Sequence, residues 1–129
     1  MHTPLSQDEE RIASLVVDSA FKVHSTLGPS LLEHIYEVCF CHELGKRGLS
    51  VERQVSFPVT YDGKTFEDAY RLDVLVEKRV VCELKAVETI LPVYRAQLLS
   101  YLKLSGFRLG FLINFNIPLI KNGISRIIS

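Results

Sequence analysis

The stretch that decides the fold is Tyr70-Arg71-Leu72-Asp73-Val74-Leu75-Val76-Glu77-Lys78-Arg79-Val80-Val81-Cys82-Glu83-Leu84-Lys85. It holds two apolar, β-branched runs joined by a short polar turn at Glu77-Lys78, the pattern of two successive strands. Thr65 to Val76 and Arg79 to Leu84 are the expected strand spans. Side chains two apart in a strand share a face, so Glu83 and Lys85 point one way while Cys82 and Leu84 point the other, into apolar packing. A short turn can fold Asp73 back beside Glu83. Burying Glu83 alone would cost several kcal/mol, so it needs a cation, either Lys85 or a metal. An exposed Glu-Lys pair would satisfy the same spacing, and the argument for a site rests on the placement of these residues on two consecutive strands followed by a helix.

Working outward, Val51 to Tyr61 is a further strand, and Asp62-Gly63 is a hairpin turn signal before the next one. Upstream, Gln7 to Leu27 reads as a helix, with Ile12, Leu15, Val16, Ala20, Val23 and Leu27 at helical spacing. Ser6 and Glu9 make a capping box, and Gly28-Pro29 stops the helix. Ser30, with Glu33 three residues on, is expected to cap a second helix from about Leu31 to Leu44. Downstream, Pro92 suits the first turn of a third helix running to about Ser105, ended by Gly106. Leu109 to Asn114 is a short buried strand, and Ile124 to Ile128 an edge strand after Asn122-Gly123. The order ααβββαββ predicts an α/β sandwich, a mixed sheet with helices packed on it.

The chain of 129 residues is expected to form a single domain over residues 1–129, and its 47% hydrophobic content is ample for a core. Its apolar runs are too short to span a bilayer, and no signal peptide is read at the N-terminus. Three cysteines, Cys39, Cys41 and Cys82, lack framework spacing, which argues against a disulfide-stapled secreted domain and for a cytoplasmic one. Cys39 and Cys41, two apart on a helix, face different directions and do not suit zinc; Cys39 and Cys82 read as small buried hydrophobes. Fifteen basic and fifteen acidic residues cancel, which weighs against a protein that coats nucleic acid. No acid follows Glu88, however, whereas Arg95, Lys103, Arg108, Lys121 and Arg126 do. That basic third is either a solvated surface or a face that meets phosphate.

Two further clusters lean on the acidic strands. On the second helix Glu33, Tyr36, Glu37 and Phe40 lie on one side at three- and four-residue steps. On the third, Gln97 and Tyr101 lie one turn apart, opposite Leu98, Leu99 and Leu102, where they can orient a water, a backbone group or a base or simply form an uncharged polar face.

From about Ile12 to Arg126 the sequence resembles the GxxExxY family, a branch of the PD-(D/E)XK nuclease-like superfamily. The resemblance is carried by Val23-His24, by Leu27-Gly28-Pro29-Ser30-Leu31-Leu32-Glu33-His34-Ile35-Tyr36-Glu37, and by Tyr70 to Val76. Val81-Cys82-Glu83-Leu84-Lys85-Ala86, Gln97-Leu98-Leu99-Ser100-Tyr101-Leu102 and Leu109 to Phe115 complete it. Ser30 stands where the family's namesake motif has glycine. The resemblance implies a restriction-endonuclease-like three-layer core with a mixed central sheet flanked by helices. It implies that Asp73, Glu83 and the carbonyl of Leu84 ligate Mg²⁺ or Mn²⁺, that Glu33 completes the acidic cluster, and that Lys85 polarises the attacking water. Gln97 and Tyr101 look like the Gln-x-x-x-Tyr motif of the related RecB-like nucleases. The expected activity is metal-dependent phosphodiester hydrolysis of nucleic acid, DNA rather than RNA, with a homodimer or partner protein compatible with the fold. A non-catalytic binding or scaffolding module on the same fold is the rival. Without metal, Asp73, Glu83 and Glu33 should repel one another and raise at least one pKa.

Overall fold

A computed structural model describes residues 3–129. The elements are α1 (Gln7–Leu27), α2 (Glu33–Lys46), β1 (Val51–Tyr61), β2 (Lys64–Val76), β3 (Val80–Lys85), α3 (Pro92–Ser105), β4 (Leu109–Asn114), a 3₁₀ turn at Ile120–Gly123, and β5 (Ile124–Ile128). The order is the expected one, with the 3₁₀ turn added. The five strands form one sheet in chain order. β3 and β4 run parallel and every other neighbouring pair is antiparallel. A parallel pair cannot be closed by a tight turn and requires a crossover, which α3 supplies. The result is an α/β fold with a five-stranded mixed sheet flanked by helices, consistent with a restriction-endonuclease-like architecture.

The capping box at α1 forms as read. Ser6 Oγ accepts from the Glu9 N–H at 3.0 Å, and Glu9 Oε1 accepts from the Ser6 N–H at 2.8 Å. Gly28, at φ 68, ends the helix with its N–H on the His24 carbonyl. The expected cap on α2 is different. Ser30 lies outside the helix in the left-handed region, φ 79, and Leu32 is the N-cap with no side-chain bond. A left-handed residue cannot begin a right-handed turn. The entry is held instead by Tyr36, whose hydroxyl donates to the Gly28 carbonyl and accepts from the Leu31 N–H. The Tyr36 ring stacks on Phe115 with centroids 4.7 Å apart.

Strand alternation sorts the core into two layers. Val80, Cys82 and Leu84 of β3 and Leu109, Phe111 and Ile113 of β4 pack with α1 and α2. Val81 and Leu112 face Leu98 and Leu102 of α3 on the opposite side. A side chain at Gly110 would meet both α3 leucines at 3.1–3.2 Å, so glycine there sets how closely α3 sits on the sheet. Glu83, Lys85 and Asn114 alternate onto this α3 side.

The long β1–β2 hairpin turns through Asp62 and Gly63, both at positive φ, as a two-residue hairpin turn requires. Its outer half folds over α3, with Val55, Phe57, Tyr70 and Leu72 joining that cluster. Val74 and Val76 of the same strand lie in the opposite layer. Leu72 and Leu75 therefore share a side although they are three apart, and the alternation slips at Asp73. Among the described residues, no helix is long and apolar enough to cross a membrane.

Candidate functional site

The slip at Asp73 creates the site. β2 and β3 pair through Val76↔Val80, Leu75↔Val81 and Val74↔Cys82, and the backbone pairing stops there. At the next position on each strand, side chains take over. The Asp73 N–H donates to Glu83 Oε1 at 3.1 Å, and the Leu84 N–H donates to Asp73 Oδ2 at 3.0 Å. Each carboxylate thus satisfies an N–H that the splayed ladder leaves without a backbone partner. Among the described residues, no backbone N–H donates to Asp73 Oδ1 or Glu83 Oε2, which leaves these oxygens as the candidate cation ligands.

Glu83 is 5% exposed. Burial pushes its pKa up to about 9, and the adjacent Asp73 charge and a hydrogen bond to the Asp73 side chain push the same way. The Asp73 N–H and the Lys85 charge oppose the rise. Glu33, exposed on the first turn of α2, is raised by partial desolvation, then by Asp73 and Glu37, against Lys85. The Asp73 charge thus reaches Glu33 across the gap between β2 and α2. Glu33 does not complete a three-ligand cage: among the described residues, no group of three His, Cys, Asp or Glu side chains could hold a metal. The residues that fit a hard cation are the two convergent carboxylates, which would leave most of the coordination sphere to water, as Mg²⁺ prefers.

Lys85, half-buried at the end of β3, carries its ammonium 4.5 Å from the centroid of the Tyr94 ring. Its strand end is pinned from β4. The Phe115 N–H donates to the Lys85 carbonyl, and the Asn114 amide both donates to the Val87 carbonyl and accepts the Val87 N–H. The Tyr101 pKa is raised by burial first and then by the charges of Glu83 and Asp73. Its ring stacks on Tyr70 at 4.8 Å. Gln97, one turn earlier, is exposed and makes no hydrogen bond among the described residues.

Three features escaped the sequence reading. Tyr36 serves as a loop clamp. Asn114 is the clip behind Lys85. Glu37 is buried and takes the Arg53 guanidinium on Oε2 at 2.7 and 3.1 Å and the Gln54 amide on Oε1 at 2.8 Å. A carboxylate among the apolar positions of α2 was the available signal. The C-terminal basic excess is partly engaged elsewhere, with Arg126 on Glu10 and Arg108 on the carbonyls of Thr3 and Pro4.

Residues 10–127 match the PD-(D/E)XK nuclease superfamily. The chain belongs to that superfamily. No curated protein and no solved structure matches it. Membership points to a nuclease-like function with nucleic acid as the partner, and divalent metals are commonly used in the superfamily.

Proposed function

We propose that the protein is a metal-dependent phosphodiester hydrolase acting on nucleic acid, with DNA as the favoured substrate, and that it belongs to the GxxExxY branch of the superfamily. The observation that carries this reading is the convergence of Asp73 and Glu83, each oriented by a backbone N–H and each with an oxygen to spare, beside a lysine two residues along the same strand. Asp73 and Glu83, with the Leu84 carbonyl beside them and Glu33 contributing through water, would hold Mg²⁺ or Mn²⁺. Such an ion lowers the pKa of a water and neutralises charge on the scissile phosphate.

The chain's own groups do the rest. Lys85 holds a positive charge and a hydrogen-bond donor where phosphoryl charge develops and where the attacking water must be aimed. The Tyr94 face keeps that ammonium on the site side of β3. Asn114 fixes the backbone from which Lys85 extends. Tyr101, stacked on Tyr70, packs in the apolar layer on the α3 side of the sheet, the side to which Glu83 alternates. Gln97, facing solvent, is available to a bound strand. With three free cysteines the protein suits a reducing compartment, and we assign it to the cytoplasm as a domain spanning residues 1–129.

Supercoiled plasmid and single-stranded DNA incubated with the protein and Mn²⁺, with Lys85→Ala alongside, test the reading. Cleavage by the wild type and none by the variant is expected. Binding without cleavage by either would instead favour the non-catalytic module, to which the two-carboxylate rather than three-carboxylate site lends some weight.

A further inference from the structure

We infer that Glu37 is a positioning residue for the acid pair: gripped by Arg53 and Gln54, it fixes β1 across from Asp73 and so holds Asp73 against Glu83. Glu37 is 6% exposed, and its carboxylate takes three hydrogen bonds from β1. Two of the three come from Arg53 and one from Gln54. In the β1–β2 ladder Arg53 pairs with Val74 and Val55 with Leu72. Gln54 therefore stands across from Asp73, where the alternation of faces slips; a separate register shift lies further out, between Phe57 and Val59. Gln54 is also left-handed, with φ 53, a conformation that costs a non-glycine residue on the order of 1 kcal/mol and persists where the surroundings over-determine it. The Gln54 amide bond to Glu37 is such a surrounding.

A simple tether of α2 to the sheet would not require this arrangement. Buried ion pairs contribute little net stability compared with apolar packing, since desolvation offsets the attraction, and a regular strand would pack on α2 without a left-handed residue. What the arrangement does achieve is local: it turns β2 away from β3 at Asp73, the step at which the Asp73 and Leu84 N–H groups pass from backbone partners to carboxylates. The catalytic meaning of the inference rests on the proposed function; its geometric content does not.

Amide hydrogen exchange of the metal-free protein, with Glu37→Gln and Gln54→Gly beside the wild type, tests it. Gln54→Gly removes one donor at a φ that glycine adopts freely, and it carries the test should Glu37→Gln fail to fold. Exchange at the Asp73 and Leu84 N–H groups is expected to rise about tenfold over any change at Val81 and Phe111. A rise by one common factor at all four, or no rise, would overturn the inference, because a tether acting through global stability loosens every core amide alike. Mn²⁺ affinity, read by electron paramagnetic resonance, is expected to fall about tenfold in the folded variant relative to the wild type. Unchanged affinity beside locally raised exchange would also overturn it. A wild type that bound no Mn²⁺ would instead remove the metal reading and leave the exchange result to decide the geometry.

Discussion

The Asp73 N–H donates to Glu83 Oε1 at 3.1 Å, and the Asp73 carboxylate takes the Leu84 N–H at 3.0 Å, so each acid is oriented by the other's strand before any cation arrives. That preorganisation has an electrostatic cost. Glu83 is held from its ordinary 4.5 up to about 9, by burial first and by Asp73 next. The metal-free fold therefore prefers the protonated form more than the unfolded chain does. The associated stability is complete below the unfolded value and is lost as pH rises through the folded one. In the presence of a chelator, the melting temperature is expected to fall steadily between pH 5 and pH 9, the interval bracketed by those two values. Glu83→Gln, isosteric and uncharged, should flatten the curve. Superimposable curves for the two proteins would contradict the assignment.

A divalent ion should reverse this dependence, because it binds the ionised pair and not the unfolded chain. Millimolar Mg²⁺ or Mn²⁺ is expected to raise the melting temperature at pH 8, by about 2.7 kcal/mol of stabilisation at one hundred times the Kd. Asp73→Ala should abolish the rise, and Glu33→Ala should only reduce it, since Glu33 lies exposed on α2, within reach of the Asp73 charge but outside the hydrogen-bonded pair. A melting curve indifferent to metal would argue against the site.

Lys85 and Tyr94 separate chemistry from metal binding. Lys85→Ala is expected to remove cleavage while keeping the metal-induced rise in melting temperature. The ammonium lies over the Tyr94 ring, 4.5 Å from its centroid, a contact worth about 0.5–2 kcal/mol. Tyr94→Phe keeps the ring and should retain activity, whereas Tyr94→Leu should lower kcat by about two- to thirtyfold with little change in KM. Equal losses in both variants would assign the role to the hydroxyl instead.

Much of this architecture was legible because hydrophobic period and turn chemistry agree along the chain. The strand from Leu109 to Asn114 and the helix from Pro92 to Ser105 fall where apolar runs, Pro92 and Gly106 place them. Glu83 and Lys85 were legible for the same reason, as polar residues on one face of an otherwise apolar strand. Asp73 was read as a regular strand position, and its slip was not. The cause is the bond from Gln54 to Glu37, seventeen residues apart on different elements, and no local pattern encodes such a pairing. Asn114 behaves alike, since its partner Val87 lies in a loop twenty-seven residues away. Ser30 was misread because Ser-x-x-Glu is a capping signature whose validity depends on a backbone conformation that sequence does not reveal.

Ser30 gives the last test. Its φ of 79 lies where side chains crowd the following carbonyl, a cost of about 1–2 kcal/mol that glycine does not bear. Its N–H, which donates to Asn116 Oδ1 at 3.1 Å, would be untouched by substitution. Glycine surrenders part of the gain because its unfolded chain is more flexible, by roughly 0.5–1 kcal/mol. Ser30→Gly is thus expected to leave stability unchanged or raise it by up to about 1 kcal/mol. Ser30→Val, β-branched and least tolerant of positive φ, should lower it by about 1–3 kcal/mol. Denaturant midpoints at constant slope measure both. A Ser30→Gly protein clearly less stable than wild type would mean that the serine side chain, and not the backbone turn, secures the entry to α2.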